Sequence, residues 1–231
     1  LPYGEKSDAF IRERAFAIGD FLLDAGARAL VIACNTATAA AARELRAHYA
    51  LPIVGVEPAV KPAAQATRSG IVGVLATAGT LQSGKYAELL RRFGHFARVL
   101  SQPGTGLVEQ VEAGDLDGPR TLALLRACLQ PLLDAGADTV VLGCTHYPFL
   151  LDSIRAVVGP AVRVIDPGAA VARRVAGLLG AAVDGGGVLR CYTSGDAAAQ
   201  QALMSRLLGE AVTVQPLPEA RCLPPRAALA R

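Results

Sequence analysis

The chain has 231 residues, 52% of them hydrophobic, which is enough apolar surface for one large domain or two small ones and excludes a disordered segment. Aromatic residues make up only 5% and Trp is absent, so base-stacking platforms have little to build on; the net charge of +3 is carried by single or paired cations such as Arg91-Arg92 and Arg173-Arg174, without the basic stripe that nucleic-acid binding needs. No apolar run approaches the roughly 18 residues of a membrane-spanning helix, so neither nucleic acid nor membrane is an expected partner.

Taken in chain order, the hydrophobic periodicity predicts a helix over 10–25, a strand over 29–33, a helix over 36–49, and strands over 52–56 and 71–75. A helix follows over 84–93, another over 121–135, a strand over 139–142, a helix over 148–158 and a strand over 162–165. The remainder reads as a helix over 169–179, a strand over 188–192 and a helix over 197–208. Short, continuously apolar strands alternating with helices define an α/β protein with parallel sheets covered on both faces. Gly185-Gly186-Gly187 after Asp184 reads as a loop, and the C-terminal stretch containing Pro216, Pro218, Pro224 and Pro225 as an irregular tail.

An internal repeat sharpens this picture. Leu22-Leu23-Asp24-Ala25-Gly26-Ala27, a strand and Cys34 recur 110 residues later as Leu132-Leu133-Asp134-Ala135-Gly136-Ala137, a strand and Cys144, and Glu57-Pro58 recurs as Asp166-Pro167. So long a period indicates two pseudo-symmetric lobes, not a solenoid. The expected first lobe comprises 1–59 with 168–231, and the second 60–167. Ala76-Thr77-Ala78-Gly79-Thr80 lies 67 residues before Cys144, and its counterpart before Cys34 would fall upstream of Leu1. The repeat therefore predicts that about one βα unit of the first lobe is absent from this sequence.

In an open parallel sheet, ligands bind beyond the carboxyl ends of the strands, where the next helix begins. Cys34-Asn35-Thr36 and Cys144-Thr145-His146 both fall there, each placing a thiol beside unpaired backbone N–H groups that lower thiol pKa and hold anions. Five cysteines at wide spacing fit reduced thiols of the cytosol better than a disulfide framework, and Leu1 to Lys6 lacks the secretory pattern of a basic start and an apolar run. Packing is the default role for Cys128, Cys191 and Cys222, and the surface for His48 and His95. Equivalent positions in related lobes set Cys34 and Cys144 apart. Two thiols opposed across a cleft suit a reaction in which one face of a carbon loses a proton and the other gains one. The competing readings are a Cys144/His146 amidase nucleophile, which leaves Cys34 without a role, an amino-acid-binding protein without catalysis, and a zinc site, for which Cys144-x-His146 supplies too few ligands.

Five segments resemble the glutamate racemases of the cofactor-independent aspartate/glutamate racemase superfamily, in the family's order and over nearly the whole chain. They are Pro2-Tyr3-Gly4 with Lys6-Ser7, Ala33-Cys34-Asn35-Thr36-Ala37, Gly55-Val56-Glu57-Pro58-Ala59, Ala76-Thr77-Ala78-Gly79-Thr80, and Gly143-Cys144-Thr145-His146-Tyr147-Pro148. The resemblance implies interconversion of L- and D-glutamate for peptidoglycan, in the cytoplasm, without pyridoxal phosphate or any other cofactor and without metal. It implies proton exchange by Cys34 on the D-glutamate side and by Cys144, assisted by His146, on the L-glutamate side. Tyr3, Gly4, Asn35, Thr36, Thr80, Thr145 and His146 match substrate-binding positions, Glu109 matches an acidic position in a divergent stretch, and a homodimer is common in such proteins. Aspartate is the nearest alternative substrate. Family members begin with a strand ending in Asp-Ser-Gly, which this sequence lacks, and Gln102-Pro103-Gly104-Thr105 departs from their usual Cys-Pro element.

Overall fold

A computed structural model describes residues 2–180 and 187–217. Cys222, Pro218, Pro224, Pro225 and the Asp184-Gly185-Gly186 part of the expected loop lie outside the described residues. Helix α1 (Asp8–Asp24) starts where the Ser7 hydroxyl accepts the Phe10 N–H, and leads into strand β1 (Leu30–Ile32). Helix α2 (Asn35–His48) then returns the chain to strand β2 (Ile53–Gly55), which pairs in parallel with β1. Helix α3 (Val60–Ala66), strand β3 (Ile71–Ala76), the short helix α4 (Ala78–Gln82) and helix α5 (Gly84–Phe93) follow.

Strand β4 (Arg98–Pro103), helix α6 (Leu107–Glu112), helix α7 (Pro119–Asp134) and strand β5 (Thr139–Gly143) come next. After a 3-10 turn (Tyr147–Leu150) come helix α8 (Leu151–Val158), strand β6 (Arg163–Ile165) and helix α9 (Gly168–Leu179). Strand β7 (Cys191–Thr193), helix α10 (Ala197–Leu208) and strand β8 (Val214–Pro216) complete the described part. All described strand pairs are parallel. One sheet has the order β4-β3-β5-β6, and β1-β2 and β7-β8 form two smaller ones. This is the expected α/β architecture with two lobes.

The repeated Leu-Leu-Asp-Ala-Gly-Ala block turns out to be a repeated helix terminator. In α1, the Gly26 N–H donates to the Leu23 carbonyl and the Ala27 N–H to the Leu22 carbonyl; in α7, Gly136 donates to Leu133 and Ala137 to Leu132. Gly26 and Gly136 sit at φ +86° and +85°, left-handed conformations that side chains disfavour, and each reversal feeds the strand that ends just before a cysteine.

The larger core lies against the four-stranded sheet, with Leu75, Leu107, Leu125, Leu129, Leu142 and Tyr147 fully buried. A smaller one joins α1 and α2 to β1 and β2 through Leu30, Ala41, Leu45 and Ile53. Val31 on β1 remains 45% exposed. Helix α9 packs on β2, and the β7 segment is tied to α1 by the Phe21–Tyr192 ring contact and by the Arg14 guanidinium donating to Ser194 Oγ at 2.9 Å.

Several elements differ from expectation for local reasons. β4 does not read as a strand because Arg98, Ser101, Gln102 and Pro103 interrupt its apolar pattern; among the described strands it lies at the sheet edge, paired only with β3. The expected strand over 188–192 contracts to Cys191–Thr193, leaving Val188 and Leu189 exposed. The helix expected over 148–158 starts as the 3-10 turn, since the Tyr147 N–H reaches only to the Cys144 carbonyl and the Phe149 N–H to that of His146. The short elements α3, α4, α6 and β8 carry too few residues to show a period.

Candidate active site

Cys34 lies two residues past the end of β1 and caps α2, its sulfur accepting the Ala37 N–H at 3.4 Å. The turn is held from beneath by Thr38, whose hydroxyl donates to the Ile32 carbonyl at 3.2 Å and accepts the Val56 N–H at 3.0 Å, so one side chain joins β1, α2 and β2. Cys144 directly follows β5, at the corresponding strand end of the other lobe. Its turn is anchored by the fully buried Tyr147, whose hydroxyl donates to the Gly104 carbonyl at 3.2 Å.

Both thiols open onto one cavity of about 210 Å³ between the lobes. Tyr3, Gly4, Asn35, Thr36, Thr145 and His146 share its wall, as do Lys6, Thr77 and Glu109. Thr80 is placed differently. It is 2% exposed and stands behind the wall, hydrogen-bonded to Thr36 and Thr77. The lobes meet closely around the cavity: the Thr145 hydroxyl donates to the Ala33 carbonyl at 2.9 Å, and Gly79 lies so near Gly4 that a Cβ on it would stand 2.8 Å from the Gly4 carbonyl oxygen.

Burial raises the pKa of both thiols. For Cys34 it is opposed by the backbone N–H groups of Ala37 and Thr36 and by the Thr36 hydroxyl, all at the amino end of α2. For Cys144 burial is the largest cause, and Cys34 and Glu109 add to it against the N–H groups of His146 and Tyr147; the result is a thiol pushed up to about 12. Like-charge repulsion between the thiols means that ionising one holds the proton on the other.

His146 Nδ1 lies 3.8 Å from Cys144 Sγ, and its Nε2 lies 2.7 Å from Glu112 Oε1. A carboxylate only accepts, so Nε2 carries the proton and donates it, which leaves Nδ1 of the neutral ring free to accept from the thiol. The sequence points to Glu109 in this region; Glu109 lines the cavity, while Glu112 is the residue bonded to His146. Glu112 carries no signal in the sequence, because its contact spans 34 residues and depends on how α6 packs against the 3-10 turn.

Asn35 is 4% exposed, and neither its Nδ2 nor its Oδ1 has a hydrogen-bond partner among the described residues. Such an amide at a cavity wall offers a ligand one donor and one acceptor at once. Away from the cavity, Cys128 and Cys191 are buried, and Cys34, Cys128, Cys144 and Cys191 are all free thiols. His48 is exposed and packs edge-on against Phe16, and His95 is exposed beside Phe96. Among the described residues, no helix is long and apolar enough to cross a membrane.

Comparison with known proteins agrees with this geometry. Residues 2–175 match the Asp/Glu/Hydantoin racemase family. The chain is 56% identical over 219 residues to the glutamate racemase of Ectopseudomonas mendocina, spanning 93% of this chain and 83% of that one. Among solved structures, Escherichia coli glutamate racemase in complex with L-glutamate and the activator UDP-MurNAc-ala superposes with a TM-score of 0.83 at 37% identity, over 94% of this chain and 84% of that one. The Francisella tularensis subsp. tularensis glutamate racemase in complex with D-glutamate gives a TM-score of 0.78 at 26% identity over the same shares. The chain belongs to the Asp/Glu/Hydantoin racemase family.

Proposed function

We propose that the protein interconverts L- and D-glutamate by proton transfer between two thiols, Cys34 and Cys144, and so supplies D-glutamate for peptidoglycan. The observation that carries this reading is the presence of both thiols on one cavity wall system, each at the end of a parallel strand and each held by N–H groups of the following turn. As the repulsion between them favours one proton shared by the pair, the thiolate on one face is the base and the thiol on the other is the acid, with roles exchanged in the reverse direction. Cys34 serves the D-glutamate face. Cys144 serves the L-glutamate face, with His146 as its proton acceptor and Glu112 holding the His146 ring.

Recognition of the substrate follows from the hydrogen bonds left open. Asn35 Nδ2 donates to a carboxylate while Oδ1 accepts from the ammonium group, and the N–H groups at the start of α2 and the Lys6 ammonium add positive field for a carboxylate. The Thr145 hydroxyl spends its proton on Ala33, so toward the cavity it is an acceptor, and Glu109 is a second partner for the ammonium. Tyr3 and Gly4 close the wall beside Thr36. The cleft lies between a first lobe of 1–59 with 168–231 and a second of 60–167. Free thiols throughout the described chain fit an enzyme of the reducing cytoplasm.

The test is solvent deuterium entering Cα, followed by mass spectrometry and chiral analysis, with D- and L-glutamate and D- and L-aspartate. Exchange with inversion for glutamate, at a rate well above that for aspartate, is the expected result. Inversion of aspartate alone would reassign the substrate, and full bidirectional racemisation by Cys34→Ser would end the two-thiol reading.

A further inference from the structure

Three threonine hydroxyls lie within hydrogen-bond distance of one another, in a triangle across the lobe interface. Thr36 Oγ1, in the first turn of α2, is 2.9 Å from Thr77 Oγ1 and 3.0 Å from Thr80 Oγ1, and the Thr77 hydroxyl donates to Thr80 at 3.0 Å. Thr77 also caps α4, accepting the Thr80 N–H at 3.3 Å. Having accepted from Thr77, the Thr80 hydroxyl directs its own proton to Thr36, the remaining acceptor beside it. Thr36 is 6% exposed and Thr80 2%, so the bond between them is buried, while the two to Thr77, at the cavity wall, are part-buried. Thr36 stands two residues from Cys34, in the turn whose N–H groups hold that sulfur.

The triangle is thus a bond between the Cys34 turn and the β3–α4 turn of the opposite lobe. No comparable hydroxyl cluster touches the Cys144 turn among the described residues; the Thr145 bond to Ala33 and the Tyr147 bond to Gly104 serve that side. Thr80 stands behind the cavity wall, and its effect on substrate passes through Thr36.

We propose that Thr80, with Thr77, is a positioning residue for Cys34: by holding the Thr36 hydroxyl across the lobe interface it fixes the Cys34 turn at the distance that proton transfer on that face requires. This rests on the two-thiol reading above. Replacing the hydroxyl by a methyl group in Thr80→Val sets carbon where two oxygens now stand at hydrogen-bond distance, which pushes the Thr36 turn away. Misplacement of this kind lowers the rate of the affected step and leaves ground-state binding nearly intact, with a loss of about tenfold to a hundredfold for displacements approaching 1 Å.

The experiment measures kcat, KM and the Cα-deuterium isotope effect on kcat/KM in both directions for the unsubstituted protein and for Thr80→Val, Thr80→Ala and Thr80→Ser. Loss of the hydroxyl in Val and Ala is expected to lower kcat about tenfold with KM changed less than about twofold. The isotope effect should rise for the isomer whose proton Cys34 removes and fall for the other, because only the Cys34 step has become slower. Thr80→Ser should recover activity to within about threefold, and Thr80→Val added to Thr36→Val should cost nothing more. Isotope effects unchanged in both directions alongside a lower kcat would indicate a smaller active fraction and overturn the proposal, as would a change confined to KM. Absence of any Cα exchange in the unsubstituted protein would instead remove the functional reading beneath it.

Discussion

Removal of the Glu112 carboxylate is the sharpest test of the assignment on the L-glutamate face. With Cys144 pushed up to about 12, ionising it alone at pH 7 costs about 7 kcal/mol, at about 1.4 kcal/mol per unit. That is a large part of the total barrier of about 14–17 kcal/mol compatible with ordinary turnover. The thiol therefore needs a partner that stabilises the charge-separated state, and His146 at 3.8 Å is placed to take the proton. Glu112 stabilises the resulting imidazolium through the 2.7 Å bond to Nε2. A charge-assisted bond contributes about 1.5–3 kcal/mol when shielded. Here the two side chains are 31% and 39% exposed, which reduces the contribution to about 1 kcal/mol, or about fivefold in rate. The assay is deuterium entry into L-glutamate in a Cys34→Ser background, where only Cys144 exchanges the proton. Glu112→Gln should slow it about fivefold. The same change in a Cys144→Ser background should leave D-glutamate exchange by Cys34 unaltered. An unchanged L-face rate, or an equal loss on both faces, would refute the role given to Glu112.

Three further outcomes follow from the packing and electrostatics. Gly79→Ala places a Cβ 2.8 Å from the Gly4 carbonyl oxygen and 3.2 Å from Thr36 Cγ2, and since the first of these is backbone the lobes must shift; thermal melting should show about 1–3 kcal/mol of lost stability and steady-state assays at least about a tenfold fall in kcat/KM. The buried Cys144 thiol keeps its proton to about 12, whereas in the unfolded chain it releases it near 9, so its contribution to stability is complete below pH 9 and lost as pH rises toward 12. Cys34 and Cys128 act in the same direction, and urea titrations at pH 8 and pH 10.5 should show a fall that is smaller in Cys144→Ala. Asp138 has its carboxyl held well below the usual range: burial opposes ionisation, but the Thr67 hydroxyl and the N–H groups of Ser69 and Arg68 outweigh it. Asp138→Asn should cost about 1–3 kcal/mol at pH 7 by denaturant titration, the difference from the unsubstituted protein shrinking as pH falls below 4 and the carboxylate's contribution is lost.

What could be read from the residues alone follows a physical divide. The Leu-Leu-Asp-Ala-Gly-Ala block is legible because a helix terminator needs only consecutive residues, and its repetition exposes the two lobes. The thiols are legible because a strand end followed by a helix start is also local. β4 escapes because an edge strand makes weak demands on its side chains, and its pairing with β3 is settled by the sheet. Glu112 escapes because one carboxylate among several meets His146 only through tertiary packing. Thr80 is legible as a residue of the site but not as to its place, since a motif does not distinguish the cavity wall from the layer behind it.

The two thiols are built to be alike in chemistry and unlike in support. Burial makes both reluctant to ionise, which suits the proposed reaction, in which the pair holds one proton between them and reprotonates a carbon from either side. Cys34 is helped by the amino end of a 14-residue helix, a fixed field that needs no proton acceptor. Cys144 precedes only a short 3-10 turn, which offers a weaker field, and its side of the cavity instead carries His146 and Glu112. An imidazole can be removed by substitution while a helix terminus cannot, so the two faces should respond differently to the same change. His146→Asn should slow single-thiol exchange at Cys144, measured in the Cys34→Ser protein, far more than exchange at Cys34 in the Cys144→Ser protein, and equal losses on the two faces would show that His146 is not the acceptor.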